Sequence, residues 1–210
     1  MTDRYAVIGN PIEQSKSPLI HTAFAQVTGQ DIEYTKVLGL LGEFAKTVDA
    51  FRAAGGKGMN VTAPAICALL PFVAEQPAEL VIVNRTVAKA EQLAALASQH
   101  SGGAVPVRGV GYDQLQGQQF DVVFNATSAS LTADLPPLPA SVFASGALAY
   151  ELAYGKGLTP FLKLAQQTGV TRLADGVGML AEQAAEAFAW WRGVRPDTQG
   201  VIRQLTVPLV

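Results

Sequence analysis

Short apolar runs alternate with stretches of helical spacing along the whole of this 210-residue chain. "ELVIVNR" (Glu79–Arg85) and "FDVVFNAT" (Phe120–Thr127) are strand-like apolar runs, and "GALAYELAY" (Gly146–Tyr154) is a third. Such a run needs cover on both faces, the condition of a buried strand in a parallel sheet. Between the runs lie helix patterns. Thr86–His100 is alanine-rich, Thr159-Pro160 opens a helix through Gln167, and Gly176–Trp191 is long with one apolar face. Strands alternating with helices predict parallel sheets covered on both sides, an α/β fold.

The N-terminal third repeats the pattern. "YAVIG" (Tyr5–Gly9) reads as a strand closed by Asn10-Pro11. Ser17-Pro18 offers an N-cap and an N1 proline for a helix near Leu19–Thr28, ended by Gly29. "DIEYTKVL" (Asp31–Leu38) alternates like a strand. Leu41, Phe44, Ala45, Val48 and Phe51 recur at helical spacing up to the terminator Gly55-Gly56, and "GMNVT" (Gly58–Thr62) is a further strand. No internal repeat is present. "TADLPPLPAS" (Thr132–Ser141) is the most linker-like piece.

Composition narrows the class. Hydrophobic residues make up 49% and charged residues 15%, enough for a core and unlike a disordered chain. A net charge of −2 gives no footprint for nucleic acid or an anionic membrane. One cysteine, Cys67, allows no internal disulfide. The N-terminus lacks the apolar run of a signal peptide, and no run reaches the length of a membrane span. A cytoplasmic protein, monomer or homodimer, acting on a small molecule is expected. Two histidines and no Cys/His cluster give no metal signal. His21 in an apolar helix, His100 at a helix end and Cys67 in an apolar run all read as structural.

Two stretches carry ligand chemistry on physical grounds. Ser15 and Ser17 in "SKS" precede a helix N-terminus, where hydroxyls and free N–H groups suit a carboxylate; helix capping by Ser17 stands beside that reading. "NRTVAK" (Asn84–Lys89) follows an apolar strand where a Rossmann fold places an acidic ribose reader, but Arg85 stands there instead. A guanidinium can take a 2′-phosphate bidentately, Thr86 adds a hydroxyl and an N–H, and Lys89 adds charge one turn on, so NADP is predicted over NAD. Surface cations beside a helix cap are the alternative. Asn60 and Thr62 end a strand, where ligand-facing residues gather in open α/β sheets, though such residues also bond loop backbone.

Read together, "YAVIGNPIEQSKSPLIHTAF", "GMNVTAP", "VNRTVAK", "FNATSAS", "YGKGLTPFL" and "DGVGMLAEQAAEAFAWWRGVRPD" resemble the shikimate dehydrogenase family, in that family's order. The resemblance implies an NADP-dependent reduction of 3-dehydroshikimate to shikimate, in aromatic amino-acid biosynthesis. It implies an N-terminal substrate-binding α/β domain (1–66, joined by 176–210) and a Rossmann-like NADP domain with a parallel sheet (67–175). Substrate contacts carried over are Ser15 and Ser17 for the carboxylate, Asn60 and Thr62 for hydroxyls, and Tyr154 and Gln183. Cofactor contacts carried over are Asn84, Arg85, Thr86, Lys89, Thr127 in "NATS", and Leu152, Gly176 and Met179 toward the nicotinamide.

The chain also departs from that family. The family's Asn-Val-Thr-x-Pro-x-Lys reads here Asn60-Val61-Thr62-Ala63-Pro64-Ala65-Ile66, so Ile66 stands where the catalytic lysine belongs. Isoleucine can neither give nor take a proton. The aspartate partner, an asparagine on the substrate, the first Rossmann strand and its Gly-x-Gly-x-x-Gly loop have no counterpart either, because "ALLPFVAEQPAELVIVNRT" already resembles the helix that follows that loop. "GGAVPVRGVG" (Gly102–Gly111) follows a helix, the wrong context for a phosphate loop. An internal segment is therefore read as absent. The Rossmann-like domain is expected to be truncated, its remaining strands either closing the gap or leaving the chain partly folded. Activity is expected to be weak or lost, leaving a ligand-binding remnant or a quinate/shikimate-type enzyme as alternatives.

Overall fold

The computed structural model describes residues 2–40, 42–61, 72–127, 129 and 134–209. In chain order the elements are β1 (Asp3–Gly9), α1 (Ser17–Thr28), β2 (Ile32–Leu38), α2 (Phe44–Ala53), β3 (Gly56–Val61), β4 (Leu80–Val83), α3 (Val87–His100), β5 (Val107–Val110), β6 (Phe120–Asn125), β7 (Phe143–Glu151), α4 (Pro160–Gln167), β8 (Arg172–Asp175), α5 (Val177–Arg192) and α6 (Gln199–Leu205). They form two compact units, Met1–Ala63 with Val177–Thr206, and Pro64–Gly176 with Val207–Val210. Every strand pairing is parallel.

In the first unit the sheet order is β2-β1-β3. The central strand is the most apolar, and Tyr5 to Ile8 are all buried. Tyr5 lies opposite Tyr34 on β2 and Gly58 on β3; one step along its face, Val7 lies opposite Asn60. Residues two apart on a strand share a face, so Tyr5, Val7, Tyr34 and Asn60 point the same way. Trp191 of α5 covers that face and stacks on Tyr5 at 4.7 Å between ring centroids. Phe24 of α1 and Phe188 of α5 meet edge to face at 5.9 Å. At the C-terminal end of α5, Arg192 donates to Asp3, to Gln30 Oε1 at 2.8 Å and to the Tyr5 hydroxyl at 3.4 Å. A cation there suits the helix dipole and ties α5 to β1.

The second unit holds two separate ladders among the described residues, β4-β5 and β6-β7-β8. Each has its own apolar core. Val73, Ile82, Ala90, Ala94 and Ala97 form one around β4 and α3; Val142, Phe143, Ala147, Ala149, Phe161, Leu162, Ala165 and Val170 form the other around β7 and α4. "ELVIVNR" and "FDVVFNAT" were expected as fully buried strands, and here the structure differs. Only Ile82 of β4 and Asn125 of β6 are buried, and Val122 is 48% exposed. The reason is the ladder: among the described residues β4 and β6 each have one strand neighbour, so each is an edge strand there.

Three elements escaped the sequence reading: β5, β8 and α6. Each is four to seven residues long, too short for periodicity to stand out. β5 also contains Gly109, which the fold requires. A Cβ there would lie 2.3 Å from the backbone of Ala90 and Glu91 on α3. We expect Gly109→Ala to destabilise the chain by about 1–3 kcal/mol, since the obstructing atoms are backbone; thermal unfolding checks this.

Candidate functional site

The hydroxyl pair at the start of α1 is not built as the sequence suggested. The N-cap position is Lys16, α1 begins at Ser17, and no side chain caps it. Ser17 is buried, and its backbone N–H donates to Ser15 Oγ at 3.3 Å. The Ser15 hydroxyl donates to Ser17 Oγ, also at 3.3 Å. The capping reading of Ser17 therefore fails.

Tyr34 reaches over β1 to β3, and Asn60 Nδ2 donates to its hydroxyl at 2.9 Å. The same nitrogen lies 3.3 Å from His21 Nε2. The His21 ring, fully buried, stacks flat on Tyr34 with 4.1 Å between centroids. Tyr34, Asn60 and His21 thus form one polar group on an otherwise apolar face, and Ser15 and Ser17 form a second. Burial holds the His21 pKa down at about 4. Burial also raises the Tyr34 pKa above its ordinary value, outweighing the hydrogen bonds donated by Asn60 and Ser17. Tyr34 was not singled out from sequence and His21 was read as structural. The signal for Tyr34 was its place as a polar-tipped residue on the inward face of β2.

Of the other expected substrate contacts, Thr62 lies outside the described residues, as do Ile66 and Cys67. Gln183 on α5 is exposed and donates to Leu180 O at 2.9 Å. Met179, one turn earlier, is 38% exposed.

In the second unit, two groups of expected residues sit at the C-terminal ends of strands. At the ends of β6 and β7, Glu151 is completely buried. It accepts from Asn125 Nδ2 (2.9 Å), the Thr159 hydroxyl (3.1 Å) and the Ala153 N–H (3.2 Å). Asn125 Oδ1 accepts from the Thr127 N–H and hydroxyl at 3.1 and 2.8 Å, and Leu152 N donates to Asn125 O at 2.9 Å. This network, centred on a glutamate the sequence reading passed over, fixes the loops that carry Thr127, Leu152 and Tyr154. Gly176 is part of the same packing: its N–H donates to Ala153 O at 3.3 Å, and a Cβ on it would meet Leu152 O at 2.1 Å.

At the end of β4, Asn84 Oδ1 accepts from the Thr86 N–H at 2.9 Å, which folds the tight entry into α3. Thr86 is the N-cap residue, but its side chain makes no capping bond. Arg85, Thr86 and Lys89 are exposed, and neither cation has a carboxylate partner among the described residues. Burial raises the Tyr112 pKa, and Arg85 is close enough for its charge to oppose that shift. A helix start with unpaired cations and an uncommitted hydroxyl is a place for a phosphate. Among the described residues no three His, Cys, Asp or Glu side chains gather to hold a metal, and no helix is long and apolar enough to cross a membrane.

Parallel α/β units, the second built from Rossmann-like strand–helix–strand modules, are the architecture of nucleotide-dependent dehydrogenases. Comparison with known proteins narrows this. The family model for the shikimate dehydrogenase substrate binding domain matches residues 7–84, and that for the shikimate 5′-dehydrogenase C-terminal domain matches residues 176–206. A shikimate dehydrogenase (NADP(+)) of Nitrosospira multiformis is 43% identical, with 98% of each chain covered. The crystal structure of an Ael1 enzyme from Pseudomonas putida is 47% identical, covers 100% of both chains and superposes with a TM-score of 0.85. A shikimate dehydrogenase solved in complex with NADP+, 24% identical over 98% of this chain and 96% of that one, shares the fold with a TM-score of 0.77. The chain belongs to the shikimate dehydrogenase family. Its alignment with the Nitrosospira relative runs over 272 positions against 210 residues here, so at least 62 positions of that relative have no counterpart in this chain. The first family model runs on to residue 84, but β4 pairs with β5, which places residues 80–83 in the second unit.

The depressed His21 pKa makes stability depend on pH. Folded His21 titrates near 4, against an ordinary value of 6.5. Between those values the unfolded chain takes up a proton that the folded chain does not. The contribution is complete above about pH 6.5 and shrinks as pH falls toward 4, by up to about 3 kcal/mol. Denaturant unfolding at pH 7 and pH 4 should show that loss, and His21→Phe should reduce it.

Proposed function

We propose that this chain keeps the ligand-gripping half of a shikimate dehydrogenase and has weak or no turnover. On this reading its ligands are shikimate or 3-dehydroshikimate and the 2′-phosphate end of NADP. Substrate binding falls to residues 1–66 with 176–210, and nucleotide binding to 67–175, in a cytoplasmic monomer or homodimer. The observation that carries the reading is the division of the second unit into β4-β5 and β6-β7-β8. In a doubly wound sheet the strand between such ladders is central and leads into the phosphate-binding turn.

The residues present fit NADP unevenly. Arg85, Thr86 and Lys89 suit the 2′-phosphate. The diphosphate has no matching cradle ahead of β4, because residues 62–79 contain no glycine. The positions by which the Nitrosospira relative exceeds this chain support a missing segment. No hydride step is therefore assigned here.

On the substrate side, Ser15 and Ser17 take the carboxylate and Asn60, with Thr62, takes ring hydroxyls. The family resemblance adds Tyr154 and Gln183 as substrate contacts, and Thr127, Leu152, Gly176 and Met179 as nicotinamide contacts. With Ile66 at the lysine position, no positioned group exchanges the proton that accompanies hydride transfer. That loss alone costs roughly 10²- to 10⁴-fold. A non-catalytic binding protein is the second reading, favoured by the same divided sheet.

Steady-state assay with NADPH and 3-dehydroshikimate should give a rate at least about 100-fold below an intact family member; a rate within tenfold refutes the proposal. Calorimetry with shikimate alone should show binding. Arg85→Ala should weaken binding of 2′,5′-ADP by about 10- to 100-fold, the worth of a hydrogen bond to a charged group, and leave shikimate affinity unchanged.

A further inference from the structure

We propose that Lys36 of β2 supplies the positive charge that receives the substrate carboxylate beside Ser15 and Ser17. This deepens the reading that the serine pair holds that carboxylate, and rests on it.

Two independent observations bring Lys36 to the serines. The first is register. β1 and β2 are parallel, so α1, which joins them, runs antiparallel to both. His21 of α1 stacks on Tyr34 of β2 with 4.1 Å between ring centroids. From that contact Lys36 lies two residues on along β2, on the same face as Tyr34, a rise of about 6.6 Å. Ser17 lies four residues back along α1, a rise of about 6 Å in the same direction. Lys36 is therefore level with the first turn of α1. The second observation is a hydrogen bond. Lys36 Nζ donates to Glu13 O. Glu13 belongs to the turn closed by the Ser15 N–H on Ile12 O at 3.1 Å, so the ammonium sits on the turn that presents Ser15.

The ammonium is available to an anion. Lys36 is exposed, and none of the ion pairs among the described residues involves it. It carries three donors, and the Glu13 carbonyl takes one. The start of α1 offers an anion little by itself. The Ser17 N–H goes to Ser15 Oγ at 3.3 Å, the Ile20 N–H goes to Lys16 O at 3.1 Å, and Pro18 has no N–H. Serine hydroxyls orient a ligand oxygen but bring no net charge. A cation on the same turn is what separates a carboxylate from its neutral ester.

The test is calorimetry with shikimate and with its neutral methyl ester, on the unmodified chain, Lys36→Met and Lys36→Arg. Lys36→Met keeps an unbranched side chain and removes the charge. It should weaken shikimate about threefold to fivefold at low salt, the order of an exposed charge pair. The deficit should shrink to less than about twofold near 0.5 M salt, where such a pair is screened. Ester affinity should not change, and Lys36→Arg should stay within about twofold of the unmodified chain because it restores the charge. Unaltered shikimate affinity in Lys36→Met overturns the proposal. So does an equal loss for acid and ester that salt does not reduce, which would make Lys36 only a clamp on the turn. An unmodified chain that binds no shikimate, or binds the ester as tightly as the acid, removes the serine-pair reading itself and this proposal with it.

Discussion

A strand inside a parallel sheet must satisfy backbone donors and acceptors along both edges, and among the described residues the second unit meets that condition in two separate ladders. β4 and β6 each have one ladder neighbour. Their apolar side chains are correspondingly half-exposed, and among the described residues the two ladders carry separate cores. Each ladder is still locally well made. Gly109 lets α3 sit directly on β5, and Glu151 joins the end of β7 to Asn125 of β6, to Ala153 and to Thr159.

The first unit differs in holding a single three-stranded sheet among the described residues. β1 is buried between β2 and β3, and α5 closes the face that carries Tyr34 and Asn60. Its polar chain can therefore form whatever the second unit does. The chemistry follows from this asymmetry. On the proposed reading, the groups that hold a carboxylate and a hydroxyl lie in the first unit, while Ile66 stands at the family's lysine position.

Much of the architecture was legible in residues. β1, β2, α2 and α4 fall close to where spacing and turn residues put them, because each is long enough, or well enough punctuated by Pro and Gly, for its period to show. Burial of β4 and β6 was misread for an instructive reason. An apolar run states what a strand can be covered by, and only the neighbours decide whether it is covered. Ser17 was misjudged as a cap because Ser-Pro is a common helix start, whereas the helix begins one residue earlier and frees the hydroxyl.

The sequence alone determined the inventory: the α/β class, the serine pair, the arginine where a ribose-reading acid would stand, and isoleucine where a lysine belongs. These are properties of residue type and order, which no folding can change. Only the tertiary structure decided that Tyr34 and His21 belong with Asn60, and that the described strands of the second unit form two ladders. Both depend on which strands lie side by side, and that is set by pairing between segments far apart in the chain.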